Sequence, residues 1–292
     1  MASVIGIRTV LRIDEADDAG HCDRRANDNR RGSRYRSADL DTMIEREVIP
    51  RLLVVSSGAQ TVRTPVCNDP VTPAEAAMFA PLPLEMESHE LLAVVERFLD
   101  RGVPTEEIFV ELLAPSARRL GQMWEDDSCD FIDVTMGLWR LQEVMRELAI
   151  RGLAQKEMRP RPRSALFSPM PGDQHSFGTL MVEETFALAG WQSEVLIDPR
   201  RRDLLQAVAE QAFDIVGLTL SCDCPSGTAS DFVNSIRSVS KNPDVKIIIG
   251  GRLPQSDPGF VHATGADGTA PDCRSALAFA DQLVPVSRAV VP

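Results

Sequence analysis

Tyrosine occurs once and histidine four times in 292 residues, so few side chains can titrate near neutrality or ligate a metal. The six cysteines, Cys22, Cys67, Cys129, Cys222, Cys224 and Cys273, form no CxxC pair, which leaves a cysteine-based zinc site little support. Cys222 and Cys224 are spaced CxC after an expected strand. They read either as buried, inert thiols or as a redox switch. No apolar run approaches the roughly 18 residues a bilayer span needs, so no membrane association is expected. The opening MASVIGIRTV lacks a basic start and a full apolar core, so no signal peptide is expected and the expected location is the cytoplasm. Basic charge is in deficit. The net charge of −12 argues against non-specific DNA binding by the body of the protein. What remains is a chain with 43% hydrophobic residues, enough for a real core in one large or two ordinary domains.

Three segments follow one another. Residues 1–84 read as an arginine-rich tail, one helix and a linker. In the tail an acidic run, Asp14 to Asp18, precedes an arginine cluster from Arg24 to Arg36. That cluster is expected to be solvated, with a weak DNA contact as its possible added role. "SADLDTMIEREVIPRLLVVS" (37–56) has helical spacing, and 57–84 is rich in Pro, Thr and Ala. Residues 85–155 read as wholly helical. "MESHELLAVVERFLDRG" has Ser88 as its N-cap and Gly102 as its stop. "VPTEEIFVELLAPSARRLGQMWEDD" starts at a Thr105 cap, and Pro115 is expected to break it into two helices. "FIDVTMGLWRLQEVMRELAIRGL" places Phe131, Val134, Leu138, Leu141 and Met145 on one face. Short connections suggest an antiparallel four-helix bundle. In 164–285 the pattern turns to strand–helix alternation: ALFSPM, SEVLI, DIVGLTLS, VKIIIGG and a weaker ADGTA. The expectation is α/β, a flavodoxin-like five-stranded parallel sheet preceded by the bundle.

In such sheets ligands sit beyond the carboxyl ends of the strands, between strands 1 and 3 for the flavodoxin-like order. The loop after strand 1 carries Asp173-x-His175-x-x-Gly178, the loop after strand 3 carries Thr219-Leu220-Ser221, and strand 4 ends in Gly250-Gly251. All should fall on one rim. A histidine can bind a metal through one ring nitrogen while the other donates to a carboxylate, the role open to Asp173. The glycines would let backbone approach something bulky. No second His or Cys lies near at ligand spacing. One histidine suffices if the metal arrives inside a macrocycle that fills its other positions.

This spaced triplet resembles the cobalamin-binding module of methionine synthase and its relatives. The resemblance implies that the benzimidazole tail of cobalamin leaves cobalt for a slot in the α/β domain, and that the loop histidine replaces it. By position, His175 becomes the cobalt ligand and Asp173 its hydrogen-bond partner. Gly178, Gly250 and Gly251 become the slot lining. The family's S-x-L reads Thr219-Leu220-Ser221 here, so Thr219 keeps the hydroxyl and Ser221 makes that wall more polar. The same family places a four-helix cap before the module. "LGQMWEDD" resembles its tryptophan-bearing segment, which implies Trp124 over the corrin, although a core position between helices is also compatible. The Glu-His pair of the light-sensing CarH-like cap falls here on Val134 and Thr135, so an upper histidine ligand is missing. Trp139, one turn beyond Thr135, either fills space over cobalt or packs in the bundle.

No winged-helix DNA reader, folate or homocysteine domain or radical barrel is read in the chain. A cap, a module and an N-terminal extension resemble the AerR/PpaA group of cobalamin-dependent antirepressors. That resemblance implies a non-enzymatic, light-responsive regulator acting on a DNA-binding repressor of the CrtJ/PpsR type, with the hydroxo or aquo form of cobalamin favoured over the adenosyl form. The alternative is a corrinoid protein that carries methyl groups between methyltransferases.

Overall fold

A computed structural model describes residues 70–153, 163–221, 226–256 and 258–285. The arginine-rich tail, the 37–56 helix, and Cys22, Cys67, Cys222 and Cys224 lie outside the described residues.

Helix α1 (Pro73–Phe79) starts on a capping box in which Thr72 accepts from the Glu75 N–H and Glu75 returns the bond. Helix α2 is Leu82–Glu85 and α3 is Ser88–Asp100. Helix α1 and all but the last residue of α2 fall within the stretch expected to be linker. Phe79 is buried and Arg140 holds the Pro83 carbonyl, which ties this stretch to the helical body. The cap of α3 is Glu87, with Glu90 as its reciprocal partner, and not Ser88. Gly102 does stop that helix, at φ +85°.

The expected break at Pro115 does not occur. Helix α4 (Thr105–Ile108), a π-helical turn (Phe109–Leu113) and α5 (Ala114–Glu125) run on without interruption. Thr105 is the first helical residue and Pro104 takes the cap position. Proline lacks an N–H and its ring would press on the carbonyl four residues back. The wider turn absorbs both demands: the Ala114 N–H reaches back five residues to the Phe109 carbonyl. The buried Ser116 hydroxyl then donates to the Ala80 carbonyl at 2.8 Å. Helix α6 (Phe131–Leu153) completes the helical body, so its long members are α3, α4–α5 and α6, with α1 and α2 packed against the last two.

The sheet strands are β1 (Ser164–Pro169), β2 (Gln192–Val195), β3 (Ile215–Thr219), β4 (Lys246–Gly250) and β5 (Gly268–Ala270), all parallel, in the order β2-β1-β3-β4-β5. This is the flavodoxin-like order expected from the sequence. Strands β3 and β4 are buried along their length, as continuous apolar runs should be. Helices α7 (Phe177–Leu188), α8 (Arg201–Glu210), α9 (Ser226–Val239), α10 (Arg252–Ser256), α11 (Pro258–Thr264) and α12 (Cys273–Leu283) connect the strands and follow β5. No described helix is long and apolar enough to cross a membrane.

Helix α7 joins the two bodies. Its sequence FGTLMVEETFAL is apolar on more than one face, because one side meets the sheet and another meets the helical body. Phe186 packs with Phe167 and Trp191, whereas Met181 and Leu188 belong to the cluster built around Leu112, Leu141 and Leu148. Glu183 breaks this apolar run. It is 6% exposed, and the Ser193 hydroxyl donates to its Oε1 at 2.7 Å. Burial pushes its carboxyl from 4.5 up to about 7, against the lowering effect of Ser193. A carboxyl raised on folding binds more protons in the native state, so its stability contribution is full below about pH 4.5 and is lost as pH rises through about 7. The loss is of order 3 kcal/mol. Glu183→Gln keeps an acceptor for Ser193 and should flatten that decline in urea unfolding followed between about pH 5 and about pH 8. Parallel pH profiles for wild type and variant would contradict the assignment.

Candidate functional site

The rim at the ends of β1, β3 and β4 is tied together by backbone. The Met170 N–H donates to the Thr219 carbonyl at 2.9 Å and the Leu220 N–H to the Gly250 carbonyl at 2.9 Å. After β1 the chain turns through Gly172 at φ +93°, and the Asp173 N–H closes the turn on the Met170 carbonyl at 2.8 Å. That turn drops Asp173 into the fork between β1 and β3, where it is 4% exposed.

Both carboxylate oxygens of Asp173 are used. Oδ1 accepts from the His175 backbone N–H at 3.0 Å and faces His175 Nδ1 at 2.8 Å; Oδ2 accepts from the Ser221 backbone N–H at 2.7 Å. One side chain thus fastens the β1 loop to the β3 loop across the switch point. Burial works to raise the Asp173 carboxyl, but the His175 and Ser221 N–H groups and the imidazole outweigh it and hold the pKa below the ordinary value. An ionised carboxylate only accepts, so Nδ1 carries a proton and, in the neutral ring, Nε2 is the nitrogen that has the lone pair. The His175 side chain is 71% exposed. The result is an imidazole fixed at its base, with a bare nitrogen available at the rim.

The other expected residues divide. Thr219 bonds the buried Thr179 hydroxyl at 2.6 Å. Ser221 takes part through its backbone N–H, a contact that any residue but proline could make, so the departure from the family's leucine leaves it intact. A Cβ on Gly178 would meet nothing within 4 Å, and one on Gly250 only the Ala270 carbonyl at 3.8 Å. Gly251 is tight: φ is +105° and a Cβ would lie 2.3 Å from the Leu220 oxygen. Trp124 and Trp139 are about half exposed, and the Thr135 hydroxyl bonds back to the Phe131 carbonyl. Among the described residues, no hydrogen bond or ring contact joins these three to the His175 loop. Thr179 was not singled out from sequence; it sits directly after Gly178, and a lone helical threonine carries no signal of its buried partner.

Helix register relates the cap residues to the rim. A Cβ on Gly152 of α6 would come within 2.4 Å of Leu188 Cδ2 on α7, and six residues earlier Arg146 acts on Glu184 of α7. Contacts advance in the same sense on both helices, so α6 and α7 run side by side in the same direction. From Arg146 back to Phe131, α6 is longer than α7 from Glu184 back to Phe177. At 1.5 Å per residue, α6 therefore reaches on the order of 10 Å past the start of α7, where the His175 loop enters. Thr135, Met136 and Trp139 lie on the exposed side of this overhang.

Among the described residues there is no group of three or more His, Cys, Asp or Glu able to hold a metal ion, so they offer a metal on His175 no further ligands. A corrinoid brings its own, and an exposed, oriented Nε2 fits it.

A B12 binding domain model matches residues 163–278. An uncharacterised 20.5 kDa protein from the bchF–crtJ intergenic region of Rhodobacter capsulatus is 26% identical over 172 residues, covering 59% of this chain and 89% of that protein. Residues 163–278 are a B12 binding domain, and together with this relative they support a cobalamin-binding protein of the AerR type. The monomethylamine corrinoid protein of Methanosarcina barkeri shares the fold, with a TM-score of 0.59 at 16% identity over 71% of this chain and 97% of that one.

Within this B12 binding domain the Asp173 carboxylate is the main support of the imidazole. Asp173→Asn must turn a donor toward either His175 or Ser221. We expect cobalamin affinity to fall about 10- to 100-fold, read from visible absorption in a cobalamin titration. Unchanged affinity would mean that the ring needs no carboxylate to hold it.

Proposed function

We propose that this protein is a non-enzymatic, light-responsive, cobalamin-dependent regulator that acts on a DNA-binding repressor of the CrtJ/PpsR type as an antirepressor. The observation that carries the cofactor part is the Asp173-anchored imidazole with its bare Nε2 at the rim. His175 would hold the cobalt, Asp173 would orient the ring, and Gly178, Thr219, Ser221, Gly250 and Gly251 would flank the nucleotide tail. Thr135, Trp139 and, at the end of α5, Trp124 would lie toward the corrin's upper side. Bound cobalamin would supply a metal centre that responds to chemical state and light. Val134 is buried and Thr135 bonds its own helix, so α6 offers no imidazole there and the aquo or hydroxo form is favoured.

The regulatory part is supported by the relative encoded between bchF and crtJ. A corrin touching both bodies can shift how they pack by its difference in affinity for the two arrangements. An acidic body with net charge −12 is a poor DNA ligand alone and suits the basic surface of a DNA-binding protein. A methyl-carrier reading remains as the second one, favoured by the same observation that α6 leaves the upper position open to exchange.

The test is repressor–promoter binding titrated with apo protein, holoprotein and His175→Ala, in darkness and after illumination. The holoprotein should alter promoter occupancy and the other two should do so less. Identical action of apo and holo forms would remove cobalamin as the signal. Transfer of methyl groups from a methyltransferase to the holoprotein, without any promoter effect, would establish the carrier reading instead.

A further inference from the structure

The two bodies meet along α6 and α7, and that face holds two acids for which the cobalamin site has no use. Gly152 of α6 lies so close to Leu188 of α7 that a Cβ would not fit, which leaves little room for water. One turn back along α7 is Glu184, with Glu183 beside it. Glu183 is buried, and its side-chain partner is a single neutral hydroxyl, that of Ser193. Glu184 is half-buried and feels Arg146 of α6. Arg146 is already engaged, since its Nη1 donates to Glu143 of its own helix at 3.0 Å. The other charges on the elements packed closely on α7, namely α6, α12, β1, β2 and β3, are spent elsewhere. Strands β1 and β3 have none, and Glu194 of β2 accepts from Gln211. On α12, Arg274 pairs with Glu111 and Asp281 with Arg163, and the buried Cys273 thiol is pushed up to about 11 and stays neutral. On α6, Asp133 caps the helix, Arg140 goes to Glu87, and Glu147 goes to Arg151. Two adjacent carboxyls thus share one divided arginine.

We propose that this face is a proton-gated junction: with Glu183 and Glu184 neutral the helical body closes on the α/β domain, and their ionisation loosens it. Closing takes both carboxyls out of water and sets them side by side, and opening rehydrates them. Burial pushes both from 4.5 up to about 7, Glu184 further by the charge of Glu183 and against the pull of Arg146. The closed form therefore binds more protons than the open one. Its advantage is complete below about pH 4.5 and is lost as pH rises through about 7. A corrin touching both bodies would favour the closed form too, so proton and cofactor would help each other bind. That consequence rests on the regulator reading above; the junction does not.

Cys273 reports on this face. It is 3% exposed and sits in the cluster that α7 and α12 share with the helical body, so a reagent reaches it only when the bodies part. The test is alkylation of Cys273 by iodoacetamide in the full chain without cobalamin, read by mass spectrometry of the peptide that carries it. Comparing wild type with Glu183→Gln/Glu184→Gln at the same pH cancels the ionisation of the thiol itself. The ratio of the two labelling rates should rise at least about tenfold between about pH 6 and about pH 8, with Glu184→Gln alone giving a smaller rise. Labelling should also depend only weakly on urea, because parting one face exposes far less surface than unfolding does. A ratio that stays flat with pH would overturn the proposal. So would a urea slope equal to that of global unfolding, since the acids would then act on the fold as a whole and not on the junction. If the double variant does not fold, Glu184→Gln carries the same comparison. Because no cofactor is present, the result stands or falls apart from any promoter effect of cobalamin.

Discussion

His175→Ala is expected to lose nearly all stoichiometric cobalamin binding while leaving the fold intact. The two halves of that expectation have separate grounds. The side chain is 71% exposed and its one hydrogen bond is to Asp173, so little packing disappears with it. Asp173 keeps the Ser221 and His175 backbone N–H groups, so the two loops stay fastened. Thermal unfolding should shift by no more than about 0.5 kcal/mol equivalent, as for other exposed positions. Cobalamin, in contrast, loses the imidazole nitrogen that the described rim residues offer to cobalt. The affinity should fall by at least about 100-fold, the upper range for disturbing a metal's surroundings. Gel filtration after mixing with hydroxocobalamin reads the retained cofactor, and the visible spectrum reads whether the benzimidazole has left cobalt. Free imidazole added to the variant should restore part of the histidine-ligated spectrum. Equal retention by wild type and variant would remove His175 from the role.

Much of this site was legible in the sequence because its parts are local. D-x-H-x-x-G names its own hydrogen bond: two residues separate Asp173 from His175, and a turn at Gly172 brings the carboxylate under the ring. The parallel sheet was legible in nearly continuous apolar runs such as IVGLT and KIIIG, as strands covered on both faces show. What was not legible depends on contacts distant in the chain. Nothing near Ser221 announces that its backbone, and not its hydroxyl, reaches Asp173. Pro115 carries a strong local signal to end a helix, yet tertiary packing around Leu112 and Leu113 keeps it running through a π turn. Residues 73–84 read as linker from their Pro and Ala content, but Phe79 finds a pocket in the helical body that only the fold creates. Nothing in the sequence around Glu183 signals its burial, which follows from α7 being covered on two sides.

Gly251→Ala should be costly in both stability and cofactor affinity, and the reason lies in what the new methyl group would strike. The φ of +105° is a region that favours glycine, so alanine is strained there before any contact is counted. Its Cβ would lie 2.3 Å from the Leu220 oxygen and 2.9 Å from the Leu220 nitrogen and carbon. These are backbone atoms and cannot rotate away. Leu220 is also held on two sides, by its own N–H on the Gly250 carbonyl and by the Leu253 N–H on its oxygen. Relief therefore means shifting the β3 loop, which carries Ser221 and its bond to Asp173. We expect a loss of about 2–4 kcal/mol in urea unfolding, from strain plus the displaced backbone. Cobalamin affinity should fall in the same direction as for Asp173→Asn, because the anchor of the imidazole is disturbed. Gly178→Ala supplies the contrast. Its Cβ meets no protein atom within 4 Å, and alanine suits the helix better than glycine does. Stability should hold or rise slightly. If the cofactor's tail runs past this residue, affinity should nevertheless drop, since the methyl group would occupy space that the protein leaves open. Gly178→Ala with full stability and full cobalamin affinity would take Gly178 out of the slot; Gly251→Ala with wild-type stability would mean that Leu220 can yield after all.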